Sequence, residues 1–177
     1  MNDFTLQDMR EEITNVGGEN HDKPLISIAI DFDGTVVKHK YPQIGDENDN
    51  CSNILKRWVE KYNVGLILDT MRGGHLLDEA VNWFNERGIK LYGIGEHPTQ
   101  KTWTQSTKAY GQFSIDDRNV GCPLIQEEGC RDRVDWGKIV EIFEPKLEKL
   151  YNILNQSTTP PLSKVLEQRV SPFGMAR

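Results

Sequence analysis

The sequence predicts an α/β fold with a central parallel sheet, on three observations. Leu25-Ile26-Ser27-Ile28-Ala29-Ile30, Val64-Gly65-Leu66-Ile67-Leu68 and Ile89-Lys90-Leu91-Tyr92-Gly93-Ile94 are short apolar runs bounded by polar and turn residues. Runs that lack polar alternation read as strands covered on both faces, as in parallel sheets. Amphipathic helical stretches separate these runs at a spacing of roughly 30 residues, the length of a βαβ crossover. Such units build a Rossmann-like three-layer α/β/α sandwich, and the chain of 177 residues is long enough for one domain of this kind.

Taken in order, residues 1–23 carry Phe4, Leu6, Met9, Ile13 and Val16 at loosely helical spacing before Gly17-Gly18, and read as a short helix or a disordered leader. Residues 24–155 form the core. After the first strand, Tyr41-Pro42, Gly45 and an acidic run suit a loop or small hairpin. Ser52 to Tyr62 places Ile54, Leu55, Trp58, Val59 and Tyr62 on one helical face, with Asn63 as terminator. Leu76 to Arg87 repeats the pattern with Leu76, Leu77, Ala80, Val81, Trp83 and Phe84, stopped by Gly88. Phe113-Ser114-Ile115 is a weak apolar run that suits a short fourth strand. Val120 to Ile125 is a candidate edge strand. Asp135 is placed to cap a helix facing inward through Trp136, Ile139, Val140 and Phe143, which Pro145 is expected to kink or restart. Leu147, Leu150, Tyr151 and Leu154 continue its stripe. Residues 156–177 turn to a linker composition, Ser-Thr-Thr-Pro-Pro, and form a tail.

With 21 basic against 27 acidic residues the chain carries a net charge of −6, which disfavours general affinity for nucleic acid. Cys51, Cys122 and Cys130 make an odd count without metal or disulfide spacing and read as reduced thiols. No apolar run approaches the roughly 20 residues of a membrane span, and no signal-peptide order opens the chain. A cytoplasmic protein is expected.

Chemistry concentrates where strands end. Asp31-Phe32-Asp33-Gly34-Thr35-Val36 follows directly on the first strand, at the edge where open α/β sheets bind ligands. Gly34 lets the backbone turn so that two acids face one volume. The second strand ends on Asp69-Thr70-Met71-Arg72, and the fourth on Asp116-Asp117-Arg118. His39, His75 and His97 fall in loops with no metal-spacing partner and read as exposed loop histidines; His21 lies in the leader.

This ordered set resembles the motifs of the haloacid dehalogenase-like phosphohydrolases, and the resemblance covers roughly Leu25 to Phe143. It implies that Asp31 attacks phosphorus to give an aspartyl-phosphate, while Asp33 protonates the leaving oxygen and then activates water. Asp33 would then be held protonated, well above the usual aspartic acid value of about 3.9, with Asp31 ionised beside a cation. The resemblance further implies that Thr70 holds phosphoryl oxygens and that a lysine neutralises the site, Lys108 by preference and Lys101 as the alternative. It implies Mg²⁺ held by Asp31, the backbone carbonyl of Asp33, Asp117, and Asp116 directly or through water. Arg72 and Arg118 are candidates to grip a substrate anion, Arg118 equally to balance the aspartates.

Members of that family often carry a cap domain after the first motif or before the lysine. Neither interval has the roughly 50 residues a domain needs, so a capless form is expected. The expected activity is Mg²⁺-dependent hydrolysis of a phosphate monoester whose class the sequence leaves open, a nucleic-acid end included though disfavoured by charge. Phosphotransfer to an acceptor other than water, and a binding or regulatory module without turnover, are the alternatives. No membrane partner is expected, while the tails are candidate docking elements or contacts between copies.

Overall fold

Consecutive aliphatic residues of high strand propensity make β1 (Ile26–Ile30) and β2 (Val64–Leu68), every residue of both buried. The computed structural model describes residues 24–158, with side chains as far as Asn155. The helical reading of the leader, His21 and the C-terminal tail lie outside the described residues. The remaining elements are α1 (Cys51–Tyr62), α2 (His75–Glu86), β3 (Leu91–Ile94), a single 3-10 turn (Gln100–Thr102), β4 (Phe113–Ile115), β5 (Leu124–Ile125), β6 (Arg133–Val134) and α3 (Trp136–Thr158).

Strands β1 to β4 form one parallel sheet in the order β3-β2-β1-β4, a Rossmann-like α/β arrangement with no cap domain among the described residues. The chain steps from β1 through α1 to β2 and through α2 to β3 in one direction. Right-handed crossovers therefore put both helices on the same face. Ile26, Ile28, Ile30, Val64, Leu66 and Leu68 share a single core cluster with Leu55 and Trp58 of α1, Phe84 of α2 and Trp136 and Leu147 of α3. The return from β3 to β4 passes β2 and β1 in the opposite sense, so the same rule sends residues 95–112 over the other face. There Gln112 Oε1 accepts a hydrogen bond from the Ser27 N–H, and Gly111 lies so close to Ala29 that a Cβ would clash with the backbone. The layer on that face is a helical turn and a loop.

Helix ends follow local chemistry. Asn63 adopts the left-handed conformation at φ 50° and returns its N–H to the Trp58 carbonyl, ending α1. Asp135 Oδ1 accepts from the Lys138 N–H at 3.0 Å, the cap expected for α3. Pro145 does not restart that helix, which runs through it to Thr158. The buried side chains of Leu147, Leu150 and Leu154 hold the second half against the core, offsetting the one backbone bond that proline forfeits.

Residues 120–125 also depart from the sequence reading. They add no edge to the main sheet; β5 pairs antiparallel with β6 in a separate ribbon. Gly121, at φ 87°, turns the chain away from the sheet, and the Val134 N–H donates to the Gly34 carbonyl at 2.9 Å. The ribbon is thus pinned against the loop that follows β1. Among the described residues no helix is long and apolar enough to cross a membrane.

Candidate active site

Parallel strands in register end together, and here the ends carry the acids. The Asp31 N–H donates to the Ile115 carbonyl and the Asp69 N–H to the Ile30 carbonyl, so Asp31, Asp116 and Thr70 emerge at one edge of the sheet. Carboxylate oxygens of Asp31, Asp116 and Asp117 lie within 4.8 Å of one another, an arrangement able to hold a metal ion.

Thr35 is the hub of this cluster, a residue to which the sequence alone assigned no role. Its hydroxyl donates to Asp31 Oδ2 at 3.0 Å and accepts from the Asp117 N–H at 3.0 Å. Its carbonyl accepts from Asn48 Nδ2 at 3.1 Å and from the Trp136 indole N–H at 2.8 Å. One peptide therefore fixes the nucleophile candidate, a metal-ligand candidate, the loop after β1 and the start of α3.

The electrostatics differ from the expectation for Asp31. Burial, with added repulsion from Asp116 and Asp117, pushes the Asp31 carboxyl up to about 7 despite hydrogen bonds from the Phe32 N–H and Thr35. Three carboxylates converge, and of these Asp116 pairs with Arg118. This is the donor chemistry of a hard divalent ion, which would remove the penalty on ionised Asp31. Asp116 differs from Asp31. Burial pushes its carboxyl up, but hydrogen bonds and charge from Arg118 outweigh this and leave it below the ordinary carboxylate range. The Arg118 N–H donates to Asp116 Oδ1 at 2.8 Å and its guanidinium reaches Oδ2 at 3.2 Å. Of its two suggested roles, the balancing one matches this pairing.

Arg72 does not present itself to a substrate. Its side chain is fully buried, with Nε on Asp33 Oδ2 at 2.6 Å and Nη2 on Asp33 Oδ1 at 2.7 Å. The same guanidinium donates to the carbonyls of Pro42 and Gln43 and lies between the rings of Phe32 and Tyr41, 5.2 and 5.4 Å from their centroids. With Nε, Nη1 and Nη2 all engaged, the guanidinium is turned to Asp33 and the loop rather than to the anion expected from its place beyond β2. It positions Asp33 and the loop instead.

Neither candidate lysine pairs with the aspartates. Lys108 is exposed on the segment that crosses the far face, lining a cavity of about 260 Å³ with Trp103 and Tyr110. It forms no ion pair with the aspartates. Lys101 pairs with Glu96 at 2.8 Å. Both depend on a crossover whose path over the opposite face is set by sheet order. Thr70 stands at the expected strand end, its hydroxyl accepting from the Arg72 N–H at 3.2 Å.

His39 is not the exposed loop histidine its surroundings suggested. Its Nε2 lies 2.9 Å from Asp117 Oδ2, and both side chains are largely shielded. The pair meets above Gly34, where a Cβ would strike both groups. Gly34 also has φ 92°. Gly34→Ala is therefore expected to lose about 1–3 kcal/mol from backbone strain alone and to displace Asp117. Urea unfolding together with divalent-ion binding will measure the two effects.

These features define a parallel α/β protein with a carboxylate-lined site at the carboxyl edge of its sheet. No family model and no curated protein matches the chain. A solved structure does, that of a conserved protein from Bacteroides thetaiotaomicron, with 37% identity, a TM-score of 0.56, and coverage of 68% of this chain and 91% of that one. The chain belongs to the family of that conserved protein.

Proposed function

We propose that the protein is a Mg²⁺-dependent phosphomonoesterase of the haloacid dehalogenase-like type, working through an aspartyl-phosphate on Asp31. The observation that carries this reading is the convergence of Asp31, Asp116 and Asp117 within 4.8 Å at the end of β1, with Asp33 two residues beyond the nucleophile. Asp31, Asp117 and Asp116 would hold the ion, joined by the Asp33 carbonyl. When bound, the ion supplies charge that offsets the nucleophile's burial and the phosphoryl oxygens.

The chain's own groups then divide the work. Thr35 holds the Asp31 carboxylate by one oxygen and leaves the other to attack phosphorus; the P–O bond to the leaving group breaks as the Asp–O–P bond forms. Thr70 supplies a hydroxyl to the transferred oxygens. Asp33, once released from Arg72 and protonated from solvent, gives that proton to the leaving oxygen and recovers one from the water that cleaves the acyl phosphate. For that step Asp33 exchanges its pairing with Arg72 for the leaving group, so Arg72 sets the resting orientation of the acid.

The test is a panel of phosphate esters, spanning an aryl phosphate, nucleotides, sugar phosphates and 3′-phosphorylated oligonucleotides, with Mg²⁺ and with chelator. Mg²⁺-dependent phosphate release is expected from at least one. A binding module without turnover draws on one specific observation, that neither Lys101 nor Lys108 pairs with the aspartates. Binding of a phosphate analogue with no release across the panel would select that reading.

A further inference from the structure

We propose that His39 is a positioning residue for metal binding, setting the carboxylate plane of Asp117 from the loop that follows β1. This rests on the reading of the aspartate cluster as a Mg²⁺ site and adds a residue to it.

Asp117 enters the site on a short loop after β4, fixed at its backbone by the Thr35 hydroxyl at 3.0 Å. That bond fixes the peptide but not the rotation of the side chain. A carboxylate beside two others turns away from them, because like charges repel at this separation. An N–H donated to one oxygen opposes that rotation, and His39 Nε2, at 2.9 Å from Oδ2, is placed to donate it. The partners are 78 residues apart in sequence and are brought together by the fold.

Two features hold the imidazole there. The Lys38 N–H donates to the Asp46 carbonyl at 2.8 Å, tying the neighbouring backbone into the small hairpin of residues 36–48. The ring then lies over Gly34, where any larger residue would displace it. A ligand carboxylate oriented by an outer hydrogen bond is a recurrent feature of metal sites, and loss of such a partner weakens metal affinity about 10- to 100-fold.

The test is direct binding of Mn²⁺ alone, followed by water-proton relaxation or electron paramagnetic resonance on purified protein without substrate. His39→Ala is expected to weaken Mn²⁺ binding by about tenfold or more. His39→Gln, whose amide N–H reaches the position of Nε2, is expected to stay within about threefold of wild type, whereas the shorter His39→Asn behaves like His39→Ala. That ordering separates orientation of Asp117 from a general loss of structure. Affinity of His39→Ala within twofold of wild type, or of His39→Gln as weak as His39→Ala, would overturn the assignment of His39 alone. Asp117→Asn is the control: binding equal to wild type in that variant would remove the aspartate site itself, and the role of His39 with it.

Discussion

Asp31→Asn is expected to abolish Mg²⁺-dependent phosphate release and, at pH 8 without metal, to raise the melting temperature. The first result follows from the nucleophilic role proposed for Asp31. The second follows from linkage. The folded-state pKa of Asp31 is raised to about 7 from an ordinary value of 3.8, so the folded protein holds its proton more tightly than the unfolded chain does. The associated stability is fully present below the unfolded value and is lost as pH rises from there through about 7. Above that the metal-free protein carries the full penalty, at most about 4 kcal/mol at 1.36 kcal/mol per pKa unit. Asn has the same shape, accepts the Thr35 hydroxyl and bears no charge. Thermal melts from pH 4 to pH 8 will show it: the wild type should fall across this window and recover on adding Mg²⁺, while Asp31→Asn stays flatter and gains nothing from the ion. A wild-type profile parallel to the variant's would show that Asp31 ionises without penalty.

Arg72→Ala should cost more stability than other single changes near the site. It strands the Asp33 carboxylate and leaves the carbonyls of Pro42 and Gln43 without their donor. Removing one partner of a buried ion pair typically costs about 3–5 kcal/mol. Urea unfolding will measure the loss, and protease cleavage within residues 38–46 should quicken as that segment loses its anchor. Arg72→Lys should rescue little, since an ammonium cannot span both oxygens of Asp33 and two carbonyls at once. A cost below about 1 kcal/mol would show that the loop is held by other contacts.

The parts of the molecule legible in the sequence are those whose cause is local. β1 and β2 were readable because apolar runs and their terminating acids are contiguous, the shorter β4 only with the help of the family resemblance, and the helical faces of α1 and α2 because a 3.6-residue period is a short-range signal. Asp31, Asp116 and Thr70 could be placed at one edge for the same reason, since parallel strands deliver their ends together. What escaped was decided by partners far along the chain. The charge on Arg72 suggested an anion, but its guanidinium meets Asp33, 39 residues away, and closes on the loop carbonyls. Lys108 precedes β4 as a site lysine would, yet it lines a cavity with Trp103 and Tyr110 and makes no ion pair with the aspartates. His39 had no neighbour at metal spacing because its partner is Asp117. Only the order of strands in the sheet reveals such meetings.

The Thr35 carbonyl has a consequence for how the protein is made. Its bond to the Trp136 indole closes a span of 101 residues, and the bond from the Asp117 N–H to the Thr35 hydroxyl closes one of 82. Closing such spans requires a large loss of chain freedom before any contact compensates for it, which slows folding. During synthesis the aspartate motif leaves the ribosome before two residues that hold it in shape, which follow Thr35 by 82 and 101 positions. A nascent chain that has not yet released Trp136 therefore lacks the indole that holds the Thr35 carbonyl.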